Sequence, residues 1–351
     1  MFSPSPSTIS SSLRSPSSPP VSMRIAAVAD LDKRSKISSS SWQSVLLPGV
    51  LTYSGRNADG EPYGVKWDDD GYSVTTKHNE GGRGMELSEL TLYDGRLLSF
   101  GDRTGIIYEF IRRGEGEEGG GGGGGGIVSV PRFILSEGSG ESDKGMKVEW
   151  ATVKGGMLYV GSFGKEFTNK EGEVVNNNNM WIVIIDHEGH VRRVDWSDVY
   201  NKVRSSVGCE PPGYLVHEAV LWSEHMSRWV FLPRRLSREK YDEVKDERLG
   251  SNVLISCDER FRNFKVVKVK LDDSGMDGLH GFSSMAFVPG SRDRHALALR
   301  SVEDNCTGDD DEVCKQRTYA VVFNVESGEV LMQEKIVSDQ YKFEGVEFVI
   351  V

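Results

Sequence analysis

Short runs in which apolar and polar residues alternate recur from Met23 onward, separated by Asp-Gly and Ser-Gly turn pairs. MRIAAVADLD opens the series as a buried strand ending in Asp30 and Asp32. GVLTYSG, GVKWDDDG, SVTTKH, ELTLYDGRLLSFGD and GIIYEFI follow with a period of two, the pattern of a meander of antiparallel strands joined by tight hairpins. DGRLLSF and GGMLYVGS read as second strands, each one short turn after a preceding strand. Only DWSDVYNKVRSSVGCEPPGY reads as a convincing helix, stopped by Gly208 and the Pro211-Pro212 pair.

Five of the strand-like runs share a further feature, an oxygen-bearing residue at or just before their start. These are Ser88-Glu89 in GRGMELSELTLY, Glu149 in GMKVEWATV, Glu218 in GYLVHEAVLW, Ser283 in HGFSSMAFV and Glu344 in KFEGVEFVIV. Counted from Glu89, the intervals are 60, 69, 65 and 61 residues. Repetition at that length, with several short strands between anchors, predicts an all-β fold, a five-bladed β-propeller. The last anchor stands in the final strand, whereas the strands from Met23 precede the first anchor. The expected closure is therefore circular, with the C-terminal strand innermost in a blade whose outer strands come from the N-terminal side, leaving no sheet end unpaired. The helix is expected outside the ring, between the second and third channel-facing strands.

Composition sharpens this picture. The chain has 351 residues, 37% of them hydrophobic and 27% charged, which suits a globular protein with a sizeable core, and its 40 Gly fit many short strands better than helices. A net charge of −11 argues against a general nucleic-acid binder but not against a small phosphate ligand brought in with a cation. Residues 1–22, Ser/Pro-rich and without the apolar stretch of a signal peptide, are expected to be disordered, so the folded domain is taken as 23–351. No apolar run is long enough to span a bilayer. Gly119–Gly126 lies in an insertion over 114–126 that lacks the Gly-Lys-Ser/Thr or GxGxxG context of a phosphate loop, and reads as a flexible linker. Among four cysteines, Cys306 and Cys314 flank an acidic loop and are placed to form a small disulfide; Asn305-Cys306-Thr307 is a formal glycosylation sequon. Both hints favour a secretory compartment.

Candidate chemistry follows from residue type. Ser88, Glu89, Glu149, Glu218, Ser283 and Glu344 offer oxygen alone, which suits calcium; zinc would call for His or Cys. Taken singly, each is an ordinary solvated turn position, and the regular spacing is what sets them apart. Asp102-Arg103, Lys165-Glu166 and Arg234-Arg235 are candidates for handling phosphate, and Asp30 and Asp32 for orienting water or holding a cation. His217 and His280 lack any zinc-protease spacing and are expected to be structural, and YDEVKDERLGSN reads as a solvated loop with its own hydrogen-bonded turns.

At these motifs the sequence resembles the calcium-activated nucleotidase (apyrase) family. The matching stretches are VADLDKRSK, GRGMELSEL, GDRTGIIY, KVEWATV, LYVGSFGKEF, PPGYLVHEAVLWS, RWVFLPRR, YDEVKDERLGSN, HGFSS and FEGVEF, in family order from about Met23 to the C-terminus. The resemblance implies a five-bladed propeller with calcium in its central channel and hydrolysis of nucleoside di- and triphosphates such as UDP, GDP and ADP. The calcium ligands it implies fall on Ser88, Glu89, Glu149, Glu218, Ser283 and Glu344, with Glu89 standing where relatives carry Asp. Asp30, Asp32, Asp102, Arg103, Lys165 and Glu166 would then serve catalysis, although Gly101 replaces an acidic residue typical of the family. The family's anchor or signal is not seen; a secreted or lumenal protein, monomeric or weakly dimeric, is expected. Two rival readings are a calcium-stabilised propeller acting as an interaction module, and a phosphatase for another phosphate ester.

Overall fold

The computed structural model describes residues 20–55, 60–113, 126–272, 278–306 and 314–349. Most of the Ser/Pro segment, residues 114–125 of the Gly-rich insertion and the loop 307–313 lie outside the described residues. Five antiparallel sheets form the ring of a five-bladed β-propeller. Blade one runs from Leu87–Tyr93 outward to Ile127–Ile134, blade two from Trp150–Lys154 to Val191–Asp195, blade three from Tyr214–Ser223 to Lys265–Lys268, and blade four from Gly281–Phe287 to Val330–Ser338. The fifth blade closes the circle: the C-terminal strand Lys342–Phe348 is innermost and pairs antiparallel with Val21–Asp30, which in turn pairs with the long strand Ser41–Tyr53. Pairing thus begins two residues upstream of Met23, with Val21 opposite Tyr53.

Why so many strands are apolar on both faces is visible in the packing. Each blade is covered on either side by a neighbour, so the period of two sorts residues between two cores rather than between core and water. In Val21–Asp30, Ile25, Ala27 and Ala29 pack with Leu297, Leu299 and Val322 of blade four, while Ala26 and Val28 pack with Leu87, Leu90 and Tyr108 of blade one. The other three interblade spaces are filled the same way. Between blades two and three the filling is aromatic, with Trp150, Trp196, Trp222 and Trp229 meeting mostly edge to face. The predicted helix forms over Ser197–Ser205 and buries Tyr200 and Val203 in that cluster; Gly208 follows it at φ 69. Around the channel the inner strands approach closely: a Cβ on Gly345 would lie 2.5 Å from the backbone of Glu89.

Candidate metal and phosphate site

Every inner strand departs from regular pairing at its anchor residue. In blade one, Leu87 pairs with Gly101 and Glu89 with Phe100, which leaves Ser88 unmatched. Blade four leaves out Ser283 between Phe282↔Arg300 and Ser284↔Leu299, and the closing blade leaves out Glu344 between Ala29↔Phe343 and Val28↔Gly345. In blade three, Glu218 and Ala219 face the single residue Leu232. In blade two, Glu149 N donates to Gly161 O at 2.9 Å although Trp150 is the ladder partner of Gly161. A bulge frees a residue from the ladder and re-aims it, so four inner strands free an oxygen-bearing residue near their start, and Glu149 stands just ahead of the fifth. The register therefore assigns blade one's ring position to Ser88. Glu89 is paired in the ladder, and its carboxylate accepts from Ser284 Oγ at 2.9 Å and from its neighbour Leu90 N at 2.8 Å. Two serines also pin blade to blade. Ser88 Oγ donates to Val148 O, and Ser283 Oγ donates to Phe343 O at 3.1 Å, in each case just before the next blade's carboxylate.

The ring carboxylates belong to a web of charges. Arg234, buried, donates through Nη1 to Glu218 at 2.6 Å and Glu344 at 2.8 Å, and through Nη2 to Glu303 at 2.6 Å. Lys342 Nζ lies 2.9 Å from Asp30, 3.1 Å from Glu303 and 3.4 Å from both Asp32 and Glu344. Lys147 bridges Glu149 at 2.6 Å and Asp102 at 2.9 Å. Arg83 pairs with Glu86 and lies 3.6 Å from Asp32, and the carboxylates of Asp30, Asp32 and Glu86 come within 4.8 Å of one another. Eight carboxylates in this web (Asp30, Asp32, Glu86, Asp102, Glu149, Glu218, Glu303, Glu344) thus meet four cations (Arg83, Lys147, Arg234, Lys342). Burial and the crowding of Glu218 and Asp102 push the Glu149 carboxyl up to about 8, against the pull of Lys147. Burial likewise holds Glu344 well above the carboxylate range, while Glu303, although buried, is pulled down by Lys342 and Arg234. Asp102 Oδ1 is buried without a hydrogen-bond partner. Uncompensated carboxylates, an orphaned carboxylate oxygen and an oxygen-only donor set fit a hard divalent cation with several oxygen ligands.

The other predicted residues are distributed unevenly around this web. Asp30, Asp32 and Asp102 lie within it. Arg103 is exposed on the adjoining hairpin, free of ion pairs among the described residues. Lys165 Nζ stands 4.4 Å over the Tyr241 ring, donates to Glu166 O at 3.1 Å, and has its ammonium pushed down by burial. The Glu166 carboxylate turns away to a bidentate pair with Arg204 on the helix, at 2.9 and 3.0 Å. His217 is buried and stacked on Tyr200, neither ring nitrogen has a partner, and burial drives it down to about 3, so it is a neutral filler. YDEVKDERLGSN exposes residues 242–245 and 248 and makes its own hydrogen-bonded turns, and it is also tethered to the ring. Asp242 caps a short helix Glu243–Asp246, Tyr214 Oη donates to Asp246 at 2.6 Å, and Glu247 accepts from Cys306 N at 2.8 Å. So tethered, the segment walls a cavity of about 320 Å3 shared by Tyr241, Asp246 and Glu247 with Glu218, Arg234 and Glu303. Cys306, disulfide-bonded to Cys314, stands at its edge.

The family model for apyrases matches residues 31–349. The chain belongs to the apyrase family. It is 41% identical to soluble calcium-activated nucleotidase 1 of Rattus norvegicus over 341 residues, which is 95% of this chain and 77% of that protein. An apyrase of Cimex lectularius is 40% identical over 334 residues, 94% of this chain and 83% of its own length. Apyrases are hydrolases acting on nucleotide phosphoanhydride bonds. In this apyrase, five charged members of the web escaped the sequence reading, and three of them share a position in the pattern: Glu86, Lys147 and Lys342. Each lies two residues before an anchor, Ser88, Glu149 and Glu344 respectively. The shared offset is the signal, since counting two residues back from each of these anchors finds a charged residue every time. Burial and nearby Asp30 push the Glu86 carboxyl up to about 7 despite Arg83. Glu303 and Arg83 carry no comparable signal, because they reach the web from other strands and loops.

Proposed function

We propose that this chain is a calcium-dependent phosphohydrolase of nucleoside di- and triphosphates, including UDP, GDP and ADP, that releases inorganic phosphate. The observation that supports it most is that each inner strand carries an oxygen-bearing residue outside its regular ladder at or just before its start, Ser88, Glu149, Glu218, Ser283 and Glu344. Those residues would hold calcium, with Glu89 beside them, and a bound calcium would supply positive charge for phosphate oxygens and acidify a coordinated water. Arg103 and the half-exposed Lys147 would neutralise further phosphate oxygens, with Lys165 behind Tyr241 adding its field. Asp30, Asp32 and Asp102, with Glu86 alongside, would orient the attacking water and accept its proton. Glu166 would act by fixing the segment that carries Lys165 through its pair with Arg204. The cavity beside Tyr241 opens from Glu218 and Arg234, which suits the nucleoside end of the substrate.

The test is phosphate release from GDP, UDP, ADP and their triphosphates in calcium, in magnesium and in chelator. Calcium is expected to be required, because magnesium demands a tight octahedral shell at shorter distances than a flexible ring of this kind provides. Equal turnover in magnesium alone would overturn the calcium assignment, and failure to hydrolyse any nucleotide would overturn the function.

A further inference from the structure

Blades three and four enclose a groove of about 650 Å3 that nothing in the catalytic reading uses. Its position follows from strand direction. Asp102, Arg234 and Glu303 lie toward the outgoing ends of second strands, level with the starts of the inner strands where the charge web stands. The groove is built instead from the hairpins that join inner to second strand, at 224–227 and 288–294, together with Ser256, Lys265 and Val325 near the same end. It therefore opens on the opposite face of the ring.

Its chemistry runs against that of the whole chain. Arg228, Lys265, Arg292 and Arg294 line it, and Glu326 is its one lining carboxylate, 3.3 Å from Arg294. Arg228 spends its hydrogen bonds on neutral oxygens, Asn263 O at 2.7 Å, Ser256 O at 3.0 Å and Ser256 Oγ at 3.3 Å, which fix its guanidinium in place, and its counter-charge is Asp258 opposite it in the ladder, outside the groove lining. Neither Lys265 nor Arg292 makes an ion pair among the described residues. Arg292 also holds a left-handed backbone at φ 56, where Gly or Asn would be less costly. Lysine on an outermost strand is a common guard against edge pairing, and Lys265 alone would mean no more than that. Three arginines converging from two other strand-end hairpins are not explained by edge protection. The floor is apolar, formed by Met226, Val267 and Val325.

We infer that this groove is a second anion site, separate from the charge web, that takes clustered phosphate groups carried on a small organic body. Planar guanidinium forks suit phosphate oxygens, and the apolar floor receives the rest of the ligand. A soluble organic phosphate and a phosphoinositide headgroup share this chemistry.

The test keeps the intact chain in chelator, so that calcium-dependent binding at the charge web is silent. Titration with pyrophosphate reports the soluble source, and sedimentation with phosphatidylcholine vesicles with and without phosphoinositide reports the lipid source. The double variant Lys265→Glu/Arg292→Glu alters two exposed side chains and should keep its melting temperature and its calcium-dependent hydrolysis. It should weaken binding of whichever probe the parent takes by roughly tenfold or more. Binding of pyrophosphate assigns a soluble ligand, and binding of phosphoinositide vesicles alone assigns a headgroup. A parent that binds neither probe in chelator, or a double variant that binds as the parent does, would overturn the site. Loss of hydrolysis in the parent would bear on the proposed function and leave this result standing.

Discussion

Glu218 and Arg103 make opposite predictions although both stand at the same end of the channel. Glu218 is a ring carboxylate already matched to Arg234 at 2.6 Å. Glu218→Gln removes one negative charge from the ring while keeping its shape, so the rise in melting temperature on adding calcium should shrink. Arg103 touches no ring residue, so Arg103→Ala should keep that rise in full and lower kcat/KM roughly tenfold or more, the scale of a lost charge-assisted contact to phosphate. Calorimetry with and without calcium, paired with phosphate release, checks both. Parental turnover in Arg103→Ala would remove Arg103 from the phosphate site. At this scale the sequence was informative about residue type and less so about position. Ser88 and Glu89 are adjacent acceptors that spacing cannot separate, and only the ladder shows that Ser88 occupies the bulge. Arg204, the partner of Glu166, lies 38 residues away, beyond any local pattern.

Among elements, the bulged inner strands are the units that join fold to site. Ser283 Oγ donates to Phe343 O across the last interblade joint, and both groups are buried. Ser283→Ala strands that carbonyl and should cost about 1–3 kcal/mol, read as a lower denaturation midpoint at unchanged m-value. Rescue by Ser283→Thr would support the hydroxyl pin, and a neutral Ser283→Ala would refute it. At the same joint between blade four and the closing blade, Tyr63 Oη lies 2.7 Å from His295 Nδ1 of blade four. Burial, with Arg294 adding, holds the His295 pKa below its ordinary 6.5. The unfolded chain therefore takes up this proton first. The contribution is whole above 6.5 and is lost as pH falls through 6.5 toward the folded value. His295→Gln should flatten the fall of melting temperature with acidification between about pH 7 and 5. The strands themselves were legible as short apolar or alternating runs bounded by Asp-Gly and Ser-Gly turn pairs. The bulges were not, since one unmatched residue leaves no mark in a hydropathy pattern.

At the scale of the whole molecule, circular closure makes the C-terminal strand a central element. Lys342–Phe348 pairs with Val21–Asp30 on one side, and across the channel end it packs against blades one and four. It buries Phe343, Val346 and Phe348 in the core shared with blade four and contributes Glu344 to the ring. This topology was readable from order alone: an anchor stood in the last strand and several strands preceded the first anchor. What order could not convey is how tightly the joint is drawn. Gly345 passes so near the backbone of Glu89 that a side chain there would force the closing strand off blade one. Two lesions should therefore resemble each other. Gly345→Val keeps every ligand yet pushes the joint apart, whereas a chain ending at Lys342 loses Glu344 and exposes the unpaired edge of Val21–Asp30. The truncated chain is expected to aggregate, and Gly345→Val to melt well below the parent with a weakened calcium response, both followed by size-exclusion chromatography and thermal unfolding. If the truncated chain remained monomeric, unfolded cooperatively and released phosphate from nucleotides, the last strand would neither close the ring nor supply a ligand. If Gly345→Val alone matched the parent, closure would stand, but the tight contact with Glu89 would carry none of its strength.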